Sequence, residues 1–333
     1  MKGEGIIGAA DTVTKAYIRK NEVFADAFNY FMYDGRQKIQ PEQLRELDST
    51  EIAILLNEKD TKDKTNKEKE ASEQKMVQKY RDLLKTATIM EDGEAAYVLL
   101  GIENQTEVHY AMPVRNMLYD AMQYNQQVTE IAEKHKGKKG GKRQQKISTG
   151  EFLSGFYKNN KLIPVITLVL FFNPGEWDGP RSLFDMLDIS NPIFKKYAQD
   201  YKIHIISPKE ILESDLKKFS SSLREVIGCI KYSNDKNKLA AFIQDNPRMN
   251  IEVEAARVLE VITYTHIKRE EVDDMGNVNM CKAIQEMIQD GRDEGRVQLL
   301  VTLIQSGDIS LQRAAALMNM TPEEFQEKSK MIS

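Results

Sequence analysis

The chain has 333 residues, 41% of them hydrophobic and 29% charged, which is ordinary for a globular protein that buries a core without disulfides or a structural metal. The formal net charge is −4, so there is no global basic excess, and any contact with nucleic acid must come from local patches. Two cysteines, Cys229 and Cys281, lie far apart without a CxxC partner, which excludes a disulfide framework or zinc ribbon.

No signal-peptide run opens the sequence, and the longest apolar stretch, Leu162 to Phe172, is too short to cross a bilayer and contains Pro164. A cytoplasmic protein is expected. Thr12 to Tyr33 carries Val23, Phe24, Ala27, Phe28 and Phe31 at helical spacing, so a helix with one buried face is expected, ending at Tyr33-Asp34-Gly35. Residues 57–79 mix Lys, Glu and Asp densely and read as a solvated insertion. Asp82 to Thr88 and Ala95 to Gln105 read as two strands joined through the turn Glu91-Asp92-Gly93-Glu94. The second, AAYVLLGIENQ, stays nearly apolar until its polar end, as suits a central strand covered on both faces.

Pro113 then opens a helix, with Val114, Met117, Leu118, Ala121 and Met122 as its expected core-facing stripe. KHKGKKGGKRQQK, residues 134–146, has three glycines and no acidic residue and reads as a basic loop. IPVITLVLFF, ending at Asn173-Pro174-Gly175, and Ile203 to Ile206 supply further strands. Trp177, in NPGEWDGP, is an expected packing anchor, and the four histidines lack metal-ligand spacing.

The rest reads as mainly helical, with an amphipathic stretch from Glu252 to Ile267 and a long helix through Arg292 and Arg296. A small helix-turn-helix-like element ends the chain. There Ala314, Ala315, Leu317 and Met318 are expected to pack on Phe325, with Thr321 as cap and Pro322 at the first helical position. Its second helix carries Glu323, Glu324 and Glu327, so a packing or protein-contact role suits it better than DNA reading. The expected fold is α/β: a central mixed sheet flanked by helices over residues 1–210, followed by a helical region over 211–333.

Residues i and i+2 of a strand share a face, so Glu103 and Gln105 point one way and Asn104 the other. Antiparallel pairing brings the head of the first strand beside the end of the second, placing Asp82 near Glu103 and Gln105. Carboxylates on neighbouring strands suit a magnesium ion that keeps open coordination sites for phosphodiester hydrolysis. The same D…ExQ pattern also arises by chance at solvated strand ends.

GIENQTEVHYAMPVRNMLYDAMQY, preceded by KYRDLLK and followed by KLIPVITLVLFF, resembles the Rpn family of bacterial recombination-promoting nucleases and transposases, within the PD-(D/E)XK superfamily. NEVFADAFNYFMYDG, YKIHIISP and the DGRDEGR region extend the resemblance over most of the chain, and residues 97–119 are its most specific block. It implies a restriction-endonuclease-like core and a metal-dependent DNA endonuclease with little sequence preference, linked to recombination or mobile elements. Asp82 and Glu103 would hold Mg2+, or Mn2+ in its place.

Gln105 takes the position where the superfamily usually has a catalytic lysine, although glutamine there is usual in the family. Its amide can orient water but cannot stabilise negative charge. The alternative is therefore a catalytically weak or inactive DNA-binding protein that keeps the fold.

Asp26, one turn from Glu22 and inside FADAFNY, is the expected further catalytic acid, against the reading of a plain exposed acidic face. Arg115 has two readings, a DNA phosphate contact or an ion-pair partner for Asp120 or a site carboxylate. Lys138, Lys139, Lys142 and Arg143 are the expected phosphate contacts of the basic loop, which has no aromatic residue for base stacking. DNA is the expected partner, and the long terminal helix offers a pairing surface for a homodimer.

Overall fold

The computed structural model describes residues 3–47, 82–91, 94–137, 147–188, 191–244, 246–263, 273 and 275–332. It divides into two compact units, Met1–Leu239 and Ala240–Ser333. The boundary lies later than the expected 210/211 because residues 219–222 are fastened to the N-terminal helices. Phe219 stacks on Tyr30 at 4.2 Å, Ser220 and Ser221 bind Asp26, and Ser222 Oγ lies 2.8 Å from Tyr17 OH.

The expected first helix is two, α1 (Gly3–Ile18) and α2 (Asn21–Tyr33), separated where Lys20 turns extended. Val23, Phe24, Ala27 and Phe28 are buried as their spacing predicts, while Phe31 is half-buried and tilts against His204. The chain leaves α2 through Asp34 and Gly35, both left-handed, with φ of 54° and 83°. A Cβ on Gly35 would meet Lys218 at 2.7 Å, so both conformation and space require glycine there.

Five strands follow: β1 (Leu44–Glu46), β2 (Leu83–Glu91), β3 (Glu94–Gln105), β4 (Val165–Phe171) and β5 (His204–Ile206). They pair in sequence order, the first two pairings antiparallel and the last two parallel. Glu91 pairs with Glu94, so the β2–β3 hairpin closes at the expected turn. The parallel step from β3 to β4 is made by α3 (Met112–Gly137), followed by the short α4 (Thr149–Ser154). Next come α5 (Pro192–Tyr197), α6 (Leu223–Tyr232) and α7 (Lys236–Ile243). Residues 57–79 lie outside the described residues, as do Lys138, Lys139, Lys142 and Arg143, while Lys134, His135 and Lys136 belong to the last turn of α3.

The sheet has two distinct faces. Lys85 and Asn104 point to α1 and α2, since Lys85 Nζ lies over the Phe24 ring and Asn104 Nδ2 reaches Thr14. Leu100, Ile102, Leu168 and Leu170 share that face by register. The α3 face carries Leu99, Glu103, Thr167, Val169 and Phe171.

The rotation of α3 differs from the expected one. Met112, Asn116, Tyr119, Asp120 and Gln123 are buried, whereas Val114 and Leu118 are exposed. Ala121 is exposed too, and Met117 and Met122 are half-buried. Polar pairing sets this rotation: Arg115 reaches Glu103, and Asp120 accepts a 2.6 Å hydrogen bond from Thr167. Apolar clusters close the face at both ends. Leu84, Leu99 and Val165 form one, with Tyr124 against it; Met112, Val169, Phe171, Trp177 and Ile203 form the other. Trp177 meets Phe171 edge-on, the packing role expected of it.

In the second unit β6 (Asn250–Glu252) pairs with β7 (Asn277–Asn279), accompanied by α8 (Val253–Thr263), α9 (Met280–Gln305), α10 (Leu311–Leu317) and α11 (Pro322–Ile332). Ala314, Ala315 and Phe325 pack with Val297 and Leu300, and Met318 is half-buried beside them. Leu317 is 52% exposed and is not part of that cluster, contrary to expectation. Thr321 caps α11: Glu324 N–H donates to its hydroxyl, and Glu324 carboxylate accepts from its N–H. Among the described residues no helix is long and apolar enough to cross a membrane.

Candidate functional site

Leu83 pairs with Ile102, so Asp82 falls one rung further, beside Glu103. The Asp82 carboxylate accepts the Asn104 N–H at 2.8 Å through Oδ2 and pairs with Lys15 Nζ at 3.0 Å through Oδ1. Glu103 is fully buried, and its Oε2 lies 3.3 Å from Arg115 Nη2. Gln105, two residues on along the same strand face, is half-buried, and its carbonyl accepts the Phe172 N–H. The hairpin therefore places the three expected residues on neighbouring positions at one end of β2 and β3.

Arg115 also donates from Nε to Tyr119 OH at 3.1 Å. Burial works against its charge, but the Glu103 carboxylate, with Tyr119 and Asp82, outweighs this and raises its pKa. Burial likewise raises the Tyr119 phenol, helped by Glu103. Within the ion-pair reading, the partner of Arg115 is Glu103 and not Asp120. Asp120 binds elsewhere, accepting from Thr167 Oγ1 and Tyr201 OH.

Lys15 is a site residue that sequence reasoning missed. Its ammonium sits between Asp82 and Asp11, the latter 2.7 Å away and one helical turn back. Burial lowers its pKa, yet the hydrogen bond to Asp11 and the Asp82 charge leave it raised overall. The Asp11–Lys15 spacing was visible in the sequence as an i,i+4 helix pair. Nothing in it pointed to Asp82, which depends on α1 docking on β3 through the 2.6 Å bond from Asn104 Nδ2 to Thr14 Oγ1.

The α3 underside holds two further polar residues of interest. Asn116 is fully buried, and neither its Oδ1 nor its Nδ2 has a hydrogen-bond partner among the described residues. Asn116 lies midway along α3 between Met112, which packs with Val169 and Phe171, and Asp120, which binds Thr167. His109, just before α3, has its pKa lowered by burial and by Arg115, which favours the neutral ring. Further along, a cavity of about 380 Å³ is lined by Asp120, Tyr124, Thr167, Tyr201, Lys202 and His204.

Asp26 does not join Asp82 and Glu103. Its two carboxylate oxygens accept from the N–H and hydroxyl groups of Ser220 and Ser221, at 2.6 to 3.1 Å. Its work is to anchor the segment entering α6. Glu22 is exposed.

Among the described residues no group of three or more His, Cys, Asp or Glu is placed to hold a metal. Asp82 and Glu103 are hard oxygen donors of the type that binds magnesium through two carboxylates, leaving the remaining positions to water and phosphate. Comparison with known proteins gives no match: no family model, curated protein or solved structure resembles this chain closely enough to assign it.

Proposed function

We propose that this chain is a metal-dependent DNA endonuclease of the PD-(D/E)XK type, as its resemblance to the Rpn family implies. The observation that carries the reading is the fully buried Glu103 carboxylate at the polar end of an otherwise apolar hairpin, one rung beyond the Leu83–Ile102 pair where Asp82 begins the partner strand. Burying a carboxylate is costly for stability, and functional sites are where such groups collect.

Asp82 and Glu103 would hold Mg2+ or Mn2+, and the chemistry such an ion supplies is polarisation of the phosphate and a more acidic bound water. The chain's own residues divide the remaining tasks. Gln105 orients the attacking water through its amide. Lys15 supplies, from α1, the positive charge that a neutral glutamine lacks. Arg115 is a positioning residue, holding Glu103 from the side of α3. Each carboxylate has its own cation in the absence of an ion, Lys15 for Asp82 and Arg115 for Glu103.

The alternative, a DNA-binding protein with weak or no catalysis, draws on the closure of the same pair. Glu103 has no exposure and is matched by Arg115, so metal entry requires that ion pair to open.

The test is plasmid nicking by the purified full chain. Cleavage should require magnesium, stop with chelator and vanish in Asp82→Ala. Lys15→Met should lower the rate by about tenfold or more, the scale of losing one charge-stabilising group. Equal nicking by Asp82→Ala would remove the assignment, and DNA retardation without cleavage would establish the alternative.

A further inference from the structure

The short helix α4 holds two large apolar side chains out into solvent. Phe152 is 72% exposed and Leu153 78%. The segment displaying them is firmly built. Ser148 and Glu151 form a reciprocal capping box, and Glu151 Oε1 also accepts the Lys158 N–H at 3.0 Å. These backbone donors hold the Glu151 carboxyl at about 2.

After α4, Gly155 turns left-handed at φ 67°, and a Cβ there would come within 2.7 Å of Ala132. His135 stacks on Tyr157 at 3.7 Å and bonds the Gly155 carbonyl, while Gln127 exchanges two hydrogen bonds with Ile163. The exposed pair thus projects from a turn fastened to α3.

The flanking sequence is basic. Between residues 130 and 161 the sequence has nine Lys and Arg against three Glu, in a chain whose net charge is −4. Lys134, Lys136, Lys158 and Lys161 are exposed. Of the three acids, Glu151 is occupied by its own cap.

We infer that Phe152 and Leu153 form a base-contacting element that inserts into DNA while the flanking lysines hold phosphates. This rests on the DNA reading above and supplies the stacking group that residues 134–146 lack. Aromatic side chains in a basic setting hold bases with little sequence preference, and apolar wedges between base steps are a common way to kink a duplex. An anionic membrane is the less favoured partner, because two projecting side chains offer little apolar area for insertion. Seventeen residues of α3 separate Arg115 from Ala132, a rise of about 26 Å, or roughly eight base pairs of duplex. One stretch of DNA that length reaches both the element and the Glu103 end of α3.

The experiment uses the full chain in chelator and a duplex of about 20 base pairs carrying an adenine analogue whose fluorescence rises on unstacking. Wild type should raise the signal. Phe152→Ser with Leu153→Ser should abolish the rise and weaken binding about tenfold or more, with an unchanged circular dichroism spectrum.

Unchanged signal and affinity in the double variant would overturn the inference. So would Phe152-dependent binding to phosphatidylserine vesicles without binding to the duplex. Magnesium-dependent nicking separates the two claims. A wild type that unstacks DNA but does not cut it upholds the inference and ends the endonuclease reading. One that cuts, beside a double variant that unstacks equally, does the reverse.

Discussion

Toward α1 and α2, strands β3 and β4 present Leu100, Ile102, Leu168 and Leu170, all buried; toward α3 the same strands present Glu103 and Thr167 to Arg115, Tyr119 and Asp120. The first face is a largely apolar core with two buried polar residues, Asn104, whose Nδ2 reaches Thr14, and Lys85, whose Nζ donates to Arg19 O at 2.6 Å and to Asn21 Oδ1 at 2.5 Å. The second places a buried carboxylate, an arginine and an amide without a described partner where a helix usually meets a sheet through apolar contacts. Both faces bury polar groups, but the fully buried carboxylate of the sheet, Glu103, is in the polar seam on the α3 side. That contrast, rather than the carboxylate spacing alone, sets the α3 side apart.

The comparison can be broken most forcefully at the ion pair. Arg115→Met leaves Glu103 buried without its guanidinium and should destabilise the chain by about 3 kcal/mol or more in urea unfolding. Adding Glu103→Leu should recover that loss, because a buried ion pair exchanged for apolar groups is often neutral or stabilising. Leu100→Ala on the opposite face should cost about 2–5 kcal/mol, with no second-site rescue from the α3 side. If the double variant stays as unstable as Arg115→Met, the seam contributes to the fold and the contrast between the faces disappears.

A smaller change is expected at Asn116. Replacement by leucine removes a buried amide that has no described partner and should raise stability by about 1–2 kcal/mol. A loss of stability would show that the amide is satisfied within the seam.

The smallest effect is a pH response in α4. The Glu151 carboxyl, held at about 2 against an ordinary 4.5, supports its cap at any pH above 4.5. That support is lost as pH falls toward 2, the sign expected for a depressed carboxylate. Carbon NMR titration should give a midpoint near 2 for Glu151, and Glu151→Gln should abolish it; a midpoint near 4.5 would mean the cap is not formed.

Much of the frame was legible because it is local. Apolar runs and turn chemistry located the β2–β3 hairpin, and its pairing put Asp82 beside Glu103, since antiparallel register follows from a short turn. Helical spacing found the buried residues of α2 but not the break at Lys20 or the rotation of α3. An apolar stripe predicts a buried face only when apolar contact is what orients the helix. In α3 the polar pairs of Arg115 and Asp120 with the sheet decide instead, so Val114 and Leu118 face outward.

Asp26 illustrates the same limit. A buried aspartate on the first helices was visible as an acid, yet whether it met the site or the segment near Ser220 depended on contacts some 194 residues apart.

By itself, then, the sequence determined the α/β class, the hairpin and the juxtaposition of Asp82, Glu103 and Gln105, because strand period and turn length fix them within about two dozen residues. Tertiary structure alone decided which cations stand beside those carboxylates. Lys15 comes from α1 and Arg115 from α3, and neither meets its partner until both helices have docked on opposite faces of β3.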